Sequence, residues 1–363
     1  MLEVYIEKEF FEKYHLAFEN RDDLRYDFQF NFLRKLRNCV LYTNYSNFKE
    51  LADDITKNPL LELMIDSVPK VEYDHNLSET IGNIEFVKSG SPFKIILSCQ
   101  SDEICIEYRK KFGLEYLNTS NLAERWSLHA IGRDDALMRT TFKQSVSAES
   151  RFDSWDKFKP FRHPINSVLI IDLYLLNWKE ERHLTSNLKN NIYPLLSNLL
   201  FEASSEIKLD ITFFVQFDSF DQEDKMKTTF KKINEFIQKQ SQSGTEFSFD
   251  LNFIDYEKKN LNSEDQNTHD RTIITNSFLI ESGAGFSIFS IKKFKIDGND
   301  VWKPFIHHNS FIHFLSLFPL NRHNTVLSDL ISIQEYVSVL DERDKSTNKL
   351  NYYKSKANRL LQN

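Results

Sequence analysis

Residues 167–176, SVLIIDLYLL, form an apolar run that only Ser167, Asp172 and Tyr174 interrupt. A continuous run of this length is typical of a β-strand that is covered on both faces. Further along the chain, segments with helical periodicity alternate with short apolar runs. Strands that alternate with crossover helices predict an α/β fold with a mixed sheet and helices on both faces.

The elements around this strand can be predicted from the spacing of apolar residues and from turn residues. We predict helices over 184–203 and 225–240, strands over 209–215, 247–254, 271–275, 278–280 and 286–289, and a closing helix over 309–317. In the first half we predict strands over 4–6, 39–42 and 93–97, and helices over 27–37, 47–66 and 103–112. Both halves therefore belong to the α/β class.

The polar stretch 145–164, which contains Pro160 and Pro164, is the predicted domain boundary. We accordingly expect an α/β domain over 1–150 with no assigned role, a second domain over 151–325, and a helical tail over 326–363. The tail is highly charged from residue 341 onwards. It is predicted to be either a solvated helix or an arm that binds a partner.

The composition limits the class of protein. With 363 residues the chain is long enough for two domains. Its 40% hydrophobic and 27% charged residues are typical of a globular protein. The net charge of -7 argues against a general nucleic-acid coat, so a phosphate ligand would need a local pocket. Three cysteines without metal-type spacing and the lack of a membrane-length apolar run lead us to expect a cytoplasmic protein without a membrane span.

One short stretch carries chemistry suited to phosphate. It runs from His269 through Arg271 to Asn276 and is followed by the turn Gly283-Ala284-Gly285. On an extended strand, His269 and Arg271 leave the same face because they are two residues apart. An imidazole can act as a nucleophile or proton carrier, and a guanidinium can hold two oxygens of one phosphate.

The string HDRTIITNSFLIESGAGFSIF, residues 269–289, resembles the phospholipase D superfamily motif in its spacing. It is more similar still to the degenerate phospholipase D-like domains at the C-terminus of some microtubule-interacting-and-trafficking proteins. Arg271 stands where the family has Lys, and Asn276 stands where it has Asp. The resemblance implies a phospholipase D-like fold for the second domain. It also implies that catalysis needs a histidine from each of two motifs, whereas this chain has one copy.

These departures favour phosphate binding without turnover. We predict that the phosphate-binding residues are His269, Arg271, Asn276, Lys292 and Lys293, with no metal and no cofactor. The expected ligand bears phosphate and is a nucleic acid in preference to a lipid. By analogy with variant phospholipase D-like proteins, we expect a subunit of a bacterial multi-protein system such as phage defence. The alternative is a homodimeric nuclease or phosphodiesterase in which His269 is the catalytic nucleophile.

Each of these residues also has a purely structural interpretation. His269 could be a surface histidine, and Arg271 could form a salt bridge with Asp270 or Asp172. Lys292 and Lys293 could belong to a solvated edge strand rather than to a phosphate-attracting rim. Asp172 could face the same pocket as His269 or could be neutralised by a neighbouring cation.

Two further groups of residues suggest a metal site only weakly. The histidines do not share one helical face and lack a carboxylate at familiar spacing; they are His307, His308 and His313. Five acidic residues in the first half could form a metal-dependent nuclease cluster, although exposed helix positions explain them more simply; they are Glu3, Glu7, Glu50, Asp53 and Asp54.

Overall fold

The structure is a computed structural model, and the described part of the chain contains two main sheets. The structure describes residues 2–18, 39–58, 70–122, 139–143, 152–176, 181–215, 223–243, 246–255, 271–283, 285–306, 311–316 and 358–361, with runs of one to three residues between 61 and 68, at 125 and between 326 and 335. Within these residues the strands form a five-stranded sheet, a seven-stranded sheet and a two-stranded hairpin. The predicted α/β class is confirmed.

The first sheet is parallel, with the strand order β3-β2-β1-β4-β5. Its strands are β1 Leu2–Ile6, β2 Cys39–Thr43, β3 Lys70–Tyr73, β4 Lys94–Leu97 and β5 Glu115–Leu117. The strands predicted over 4–6, 39–42 and 93–97 are confirmed as β1, β2 and β4. Every residue of β1 is buried, as expected for a central strand that is covered on both faces.

The described helices that accompany this sheet are α1 Lys8–Phe18, α2 Phe48–Ile55, α3 Leu77–Thr80, α4 Ile84–Lys88 and α5 Asp102–Phe112. Helix α5 has clear start and stop signals. The Ser101 hydroxyl accepts a hydrogen bond from the N–H of Ile104, and Gly113 ends the helix with a left-handed φ of 63°. Acidic residues occupy its first turn and basic residues its last, which suits the helix dipole. The helix predicted over 27–37 lies outside the described residues.

The second sheet is mixed, with the strand order β6-β14-β11-β10-β7-β8-β9. Its strands are β6 Arg139–Lys143, β7 Ser167–Ile171, β8 Leu209–Val215, β9 Phe249–Asp255, β10 Arg271–Thr275, β11 Phe278–Ser282 and β14 Phe311–Ser316. Strands β7, β8 and β9 are parallel, whereas β10 runs antiparallel to β7. The strand within 167–176 and the motif strand are therefore adjacent in one sheet. Strand β6 joins this sheet although it precedes the boundary predicted near residue 150.

The crossover helices of this half cover one face of the second sheet. They are α6 Glu181–Asn187, α7 Tyr193–Leu199 and α8 Glu223–Ser243. Val168 of β7 packs in one apolar cluster with Leu195 of α7 and Ile233 of α8. The next residue, Leu169, points to the opposite face and belongs to a cluster that contains Val4 of β1. The two sheets thus share a central core, which explains why the run at β7 is apolar at consecutive positions.

The structure differs from the prediction at the last strand of the sheet. We predicted a helix over 309–317, but residues Phe311–Ser316 form β14 between β6 and β11. Ile312 and Leu315 lie on opposite faces and join different apolar clusters. An apolar run this short cannot be assigned by periodicity, and burial on both faces favours a strand here. The strand predicted over 286–289 begins only at Phe289, as β12 Phe289–Ile296, which forms a separate hairpin with β13 Asn299–Ile306.

The tail is not fully solvated, because residues 358–361 pack against the second sheet. Asn358 is buried, and its amide donates hydrogen bonds to the carbonyl of Val168 at 3.0 Å and to that of Asp210 at 3.2 Å. The Ser167 hydroxyl donates to the Asn358 side-chain oxygen at 2.8 Å. Leu360 is also buried, in the central core. Residues 358–361 therefore cap the ends of β7 and β8.

A set of contacts fixes the end of α5 against the second half of the chain, and we call it the α5 seam: Gly113, Asn166, Ser204 and Asn276. Asn276 donates to the carbonyl of Gly113 at 2.9 Å, and Asn166 donates to the carbonyl of Phe112 at 3.1 Å. The Ser204 hydroxyl donates to the carbonyl of Lys111. Backbone carbonyls at the C-terminal end of α5 thus accept hydrogen bonds from side chains in the second half of the chain.

None of the helices in the described ranges is long and apolar enough to cross a membrane. The longest of them, α8, carries charged residues along its length. The apolar positions of α8 that face the protein include Ile233 and Ile237, both fully buried. The hydrophobic face of α8 is therefore buried against the second sheet.

Candidate functional site

The candidate site lies where β7 ends and β10 begins. Because the two strands are antiparallel and Thr272 pairs with Ile171, Arg271 is placed beside Asp172, the residue after β7. The turn that contains Gly285 approaches the same point, since β11 leads directly into it. Elements far apart in sequence thus bring a guanidinium, a carboxylate and a glycine turn together at one edge of the sheet.

Asp172 holds this edge together through its two carboxylate oxygens. Oδ2 accepts a hydrogen bond from the N–H of Phe286 at 2.8 Å, and Oδ1 accepts one from the N–H of Tyr174 at 3.1 Å. Burial raises the pKa of the Asp172 carboxyl, and the Phe286 N–H and the charge of Arg271 oppose that shift. Asp172 is therefore a buried anchor for the glycine turn, with its oxygens already engaged.

Arg271 is held less tightly than Asp172. Its Nη1 donates to the carbonyl of Gly283 at 3.3 Å, and its Nε lies 3.9 Å from Oδ1 of Asp172, which is too long for a hydrogen bond. The guanidinium lies 5.7 Å from the centre of the Tyr174 ring. The Arg271 side chain is 27% exposed. Arg271 thus forms the ion pair with Asp172, one of the structural interpretations of the sequence, while part of its side chain stays exposed to solvent.

Gly285 is required by the close approach of its turn to this pair. Its φ is 89°, and a Cβ there would lie 2.8 Å from Oδ2 of Asp172 and 3.4 Å from Nε of Arg271. The Ser282 hydroxyl fixes the turn by donating to the carbonyl of Gly285 at 2.7 Å. Any side chain at this position would push the turn away from the guanidinium.

Asn276 does not lie at the same end of β10 as Arg271. The two residues are at opposite ends of β10, five positions apart, which is roughly 16 Å along a strand. Asn276 is fully buried, its oxygen accepts the N–H of Asn166 at 3.1 Å, and its amide donates to carbonyls of the α5 seam. Its polar atoms are thus used within the fold, which corrects the expectation that it contacts phosphate beside Arg271.

Two of the remaining predicted phosphate ligands lie on the two-stranded hairpin. Lys292 and Lys293 lie on β12, opposite Lys303 and Trp302 of β13. That hairpin is separate from the seven-stranded sheet. His269 lies outside the described residues, as do His307 and His308. Of the predicted phosphate ligands, Arg271 is thus the one with a described and partly exposed side chain.

The acidic cluster considered for the first half is not assembled either. Glu3 and Glu7 occupy opposite ends of β1, about 13 Å apart. Glu3 accepts a hydrogen bond from the Tyr5 hydroxyl at 2.7 Å, whereas Glu50 pairs with Lys8 at 3.1 Å. Throughout the described residues, no group of three or more His, Cys, Asp or Glu side chains is placed to hold a metal ion.

No family model matches this chain. A search of curated proteins also finds no match. The phospholipase D resemblance therefore rests on the motif string and on the order of strands and helices. The geometry around Arg271 is the firmest basis for a functional inference, because it joins that motif to a partly exposed cation.

Proposed function

We propose that this protein recognises a phosphate-bearing ligand at Arg271 and acts as a degenerate phospholipase D-like subunit of a bacterial multi-protein system, with phage defence as the expected context. The observation that carries the proposal is the state of the Arg271 guanidinium. It is partly exposed and makes one hydrogen bond within the described part of the chain. Its unused N–H groups are suited to phosphate oxygens.

The neighbouring carboxylate of Asp172 does not prevent Arg271 from binding phosphate. A carboxylate that shared two hydrogen bonds with Arg271 would compete with phosphate for the same donors. Here the Asp172 oxygens accept backbone N–H groups instead and lie beyond hydrogen-bond distance of Nε. Asp172 therefore keeps the glycine turn and the guanidinium in place while leaving outward N–H groups available.

Tyr174 favours a nucleic acid over a lipid headgroup. Its ring is 47% exposed and lies beside the Arg271 guanidinium. An exposed aromatic ring next to a phosphate-binding cation can stack on a base or sugar of a nucleic acid. The overall negative charge is consistent with a local contact rather than with an extended electrostatic surface.

Arg271→Ala is expected to weaken binding of a labelled single-stranded DNA or RNA oligonucleotide by on the order of 1.5 to 3 kcal/mol, the value of a charge-assisted bond. Arg271→Lys should be intermediate, because an ammonium keeps the charge but loses the planar fork. Fluorescence anisotropy at fixed salt measures both affinities. Lys57→Ala, which removes an exposed charge that is paired with Asp54 in the first half of the chain, is the matched control.

Equal binding by both Arg271 variants and the parent would show that Arg271 is purely structural. Vesicles that contain anionic lipid provide a second arm of the experiment. Binding to vesicles but not to oligonucleotides would contradict the choice of nucleic acid. Melting temperatures of all variants should accompany the binding curves, since loss of Arg271 removes a charge that partly compensates Asp172.

We expect the isolated protein to show little or no phosphodiesterase turnover, with or without divalent metal ions. Histidine catalysis of the phospholipase D type needs a second proton-donating histidine and an orienting carboxylate. Asn276, at the acid position of the motif, is committed to the α5 seam. The test incubates single-stranded DNA, RNA and a generic phosphodiester with the parent and with His269→Ala. Cleavage that disappears in His269→Ala would establish the dimeric nuclease alternative.

A further inference from the structure

A cavity of about 550 Å³ lies away from Arg271, where α5 passes the end of α7. This volume is within the range typical of small-molecule sites. Its walls combine cationic, apolar and polar side chains. The lining residues on which the argument depends are Ile106, Arg109, Lys110, Arg125, Phe201 and Glu202.

The cations of this cavity are not fully compensated. Arg125 is paired with Glu115 at 2.6 Å and approaches Glu202 at 3.7 Å. Arg109 instead donates to the carbonyl of Tyr116 at 2.6 Å, and within the described residues no carboxylate lies at ion-pair distance from it. Of the described residues that line the cavity, Arg109 and Lys110 therefore carry positive charges without a carboxylate at ion-pair distance, whereas the charge of Arg125 is compensated by Glu115.

Arg109 is partly buried among charges of both signs. Burial lowers the pKa of its guanidinium, the charges of Glu115 and Glu202 oppose this shift, and the like charge of Arg125 lowers the pKa further. A bound anion would reduce the repulsion between the two guanidinium groups. The carbonyls of Lys110 and Lys111 at the end of α5 accept N–H groups of Ser205 and Glu206, so these carbonyls are already satisfied.

The cavity also offers apolar surface. Phe201 is 57% exposed, and Ile106 is 42% exposed. The Arg162 guanidinium lies 3.8 Å from the centre of the Phe201 ring and covers one of its faces. An exposed aromatic ring that is held in place and borders a cationic cavity suits a ligand with a flat, apolar portion.

We propose that this cavity binds a small anion that carries an aromatic ring, of the size and chemistry of a nucleoside monophosphate. Arg109 and Lys110 would contact the anionic group, and Phe201 would contact the ring. The walls are preformed because the α5 seam holds α5 against the second half of the chain. The site does not depend on Arg271 or on the function proposed for it.

The test is isothermal titration of the full chain with AMP, with inorganic phosphate and adenosine as separate arms. We expect AMP to bind more tightly than either fragment. Arg109→Gln should raise the Kd for AMP at least tenfold, and Lys110→Gln about threefold. Lys57→Gln should leave the Kd unchanged, because Lys57 is exposed and is not one of the residues that line the cavity.

Arg109 also bonds to the backbone of β5, so each variant is checked by its melting temperature. Lys110→Gln and Phe201→Ser alter exposed side chains and keep the test valid if Arg109→Gln unfolds. Absence of AMP binding at millimolar concentration would overturn the proposal, as would unchanged binding by folded Lys110→Gln and Phe201→Ser together. Loss of AMP binding in Arg271→Ala but not in these cavity variants would place the ligand at Arg271 instead.

Discussion

Gly113→Ala is expected to lower the free energy of unfolding by roughly 3 kcal/mol or more. Gly113 has a left-handed φ of 63°, and a Cβ there would lie 2.3 Å from the carbonyl oxygen of Ile165. That oxygen cannot easily move, because it accepts the N–H of Ser204 at 2.9 Å. Backbone strain and a clash with fixed backbone therefore add together.

Gly298→Ala is the matched control for this prediction. Gly298 also has a left-handed φ, of 80°, but a Cβ there meets nothing within 4 Å. It should cost only about 1 kcal/mol, the strain of the conformation alone. Urea unfolding of both variants measures the difference. If Gly113→Ala lowers the free energy of unfolding no more than Gly298→Ala does, the α5 seam can shift to accommodate the added Cβ at little cost.

Asn276→Asp, which restores the residue type of the phospholipase D motif, is expected to destabilise the fold by roughly 3 kcal/mol or more at neutral pH. The Asn276 amide donates to the carbonyls of Gly113 at 2.9 Å and Pro164 at 3.5 Å. A carboxylate would direct negative charge at these oxygens in a site that water does not reach. The exchange would break the α5 seam instead of creating an active enzyme.

The loss should depend on pH. Burial and the neighbouring carbonyls would raise the pKa of the new carboxyl in the folded state above its value of about 3.9 in the unfolded chain. The deficit relative to the parent should therefore be small near pH 4 and should grow as the pH rises towards about 8. Thermal unfolding across this range measures it. Asn76→Asp, at an exposed position without a side-chain cap, should show no such growth; equal curves would refute the prediction.

Much of the second sheet could be predicted because its strands carry strong local signals. The sequence predicts the motif strand over Arg271–Thr275, where β10 lies. Its central residues are apolar, polar residues flank them, and the turn at Asn276 marks where the strand ends. Strand β14 was assigned as a helix because its identity depends on its neighbours β6 and β11, which sequence spacing does not reveal. Residues 311–316 form a strand because they pair with β6 and β11 in the folded sheet.

The sites could be predicted only in part for the same reason. The pairing of Arg271 with Asp172 was one of two interpretations available from the sequence, and the choice required the register of β7 against β10. Asn276 was assigned to phosphate because motif spacing does not report burial. The cavity near Arg109 gave no sequence signal, since Arg109, Arg125 and Phe201 come from separate segments.

The return of residues 358–361 to the second sheet has a consequence for the order of folding. The contact between Ser167 and Asn358 joins positions 191 apart, and Asn358 also contacts Asp210 and Thr212 of β8. Its binding surface exists only after β7 and β8 have paired. Closing so long a loop carries an entropic cost that local helix formation does not. We therefore expect residues 358–361 to dock late, and until they do, the polar ends of β7 and β8 should stay open to water.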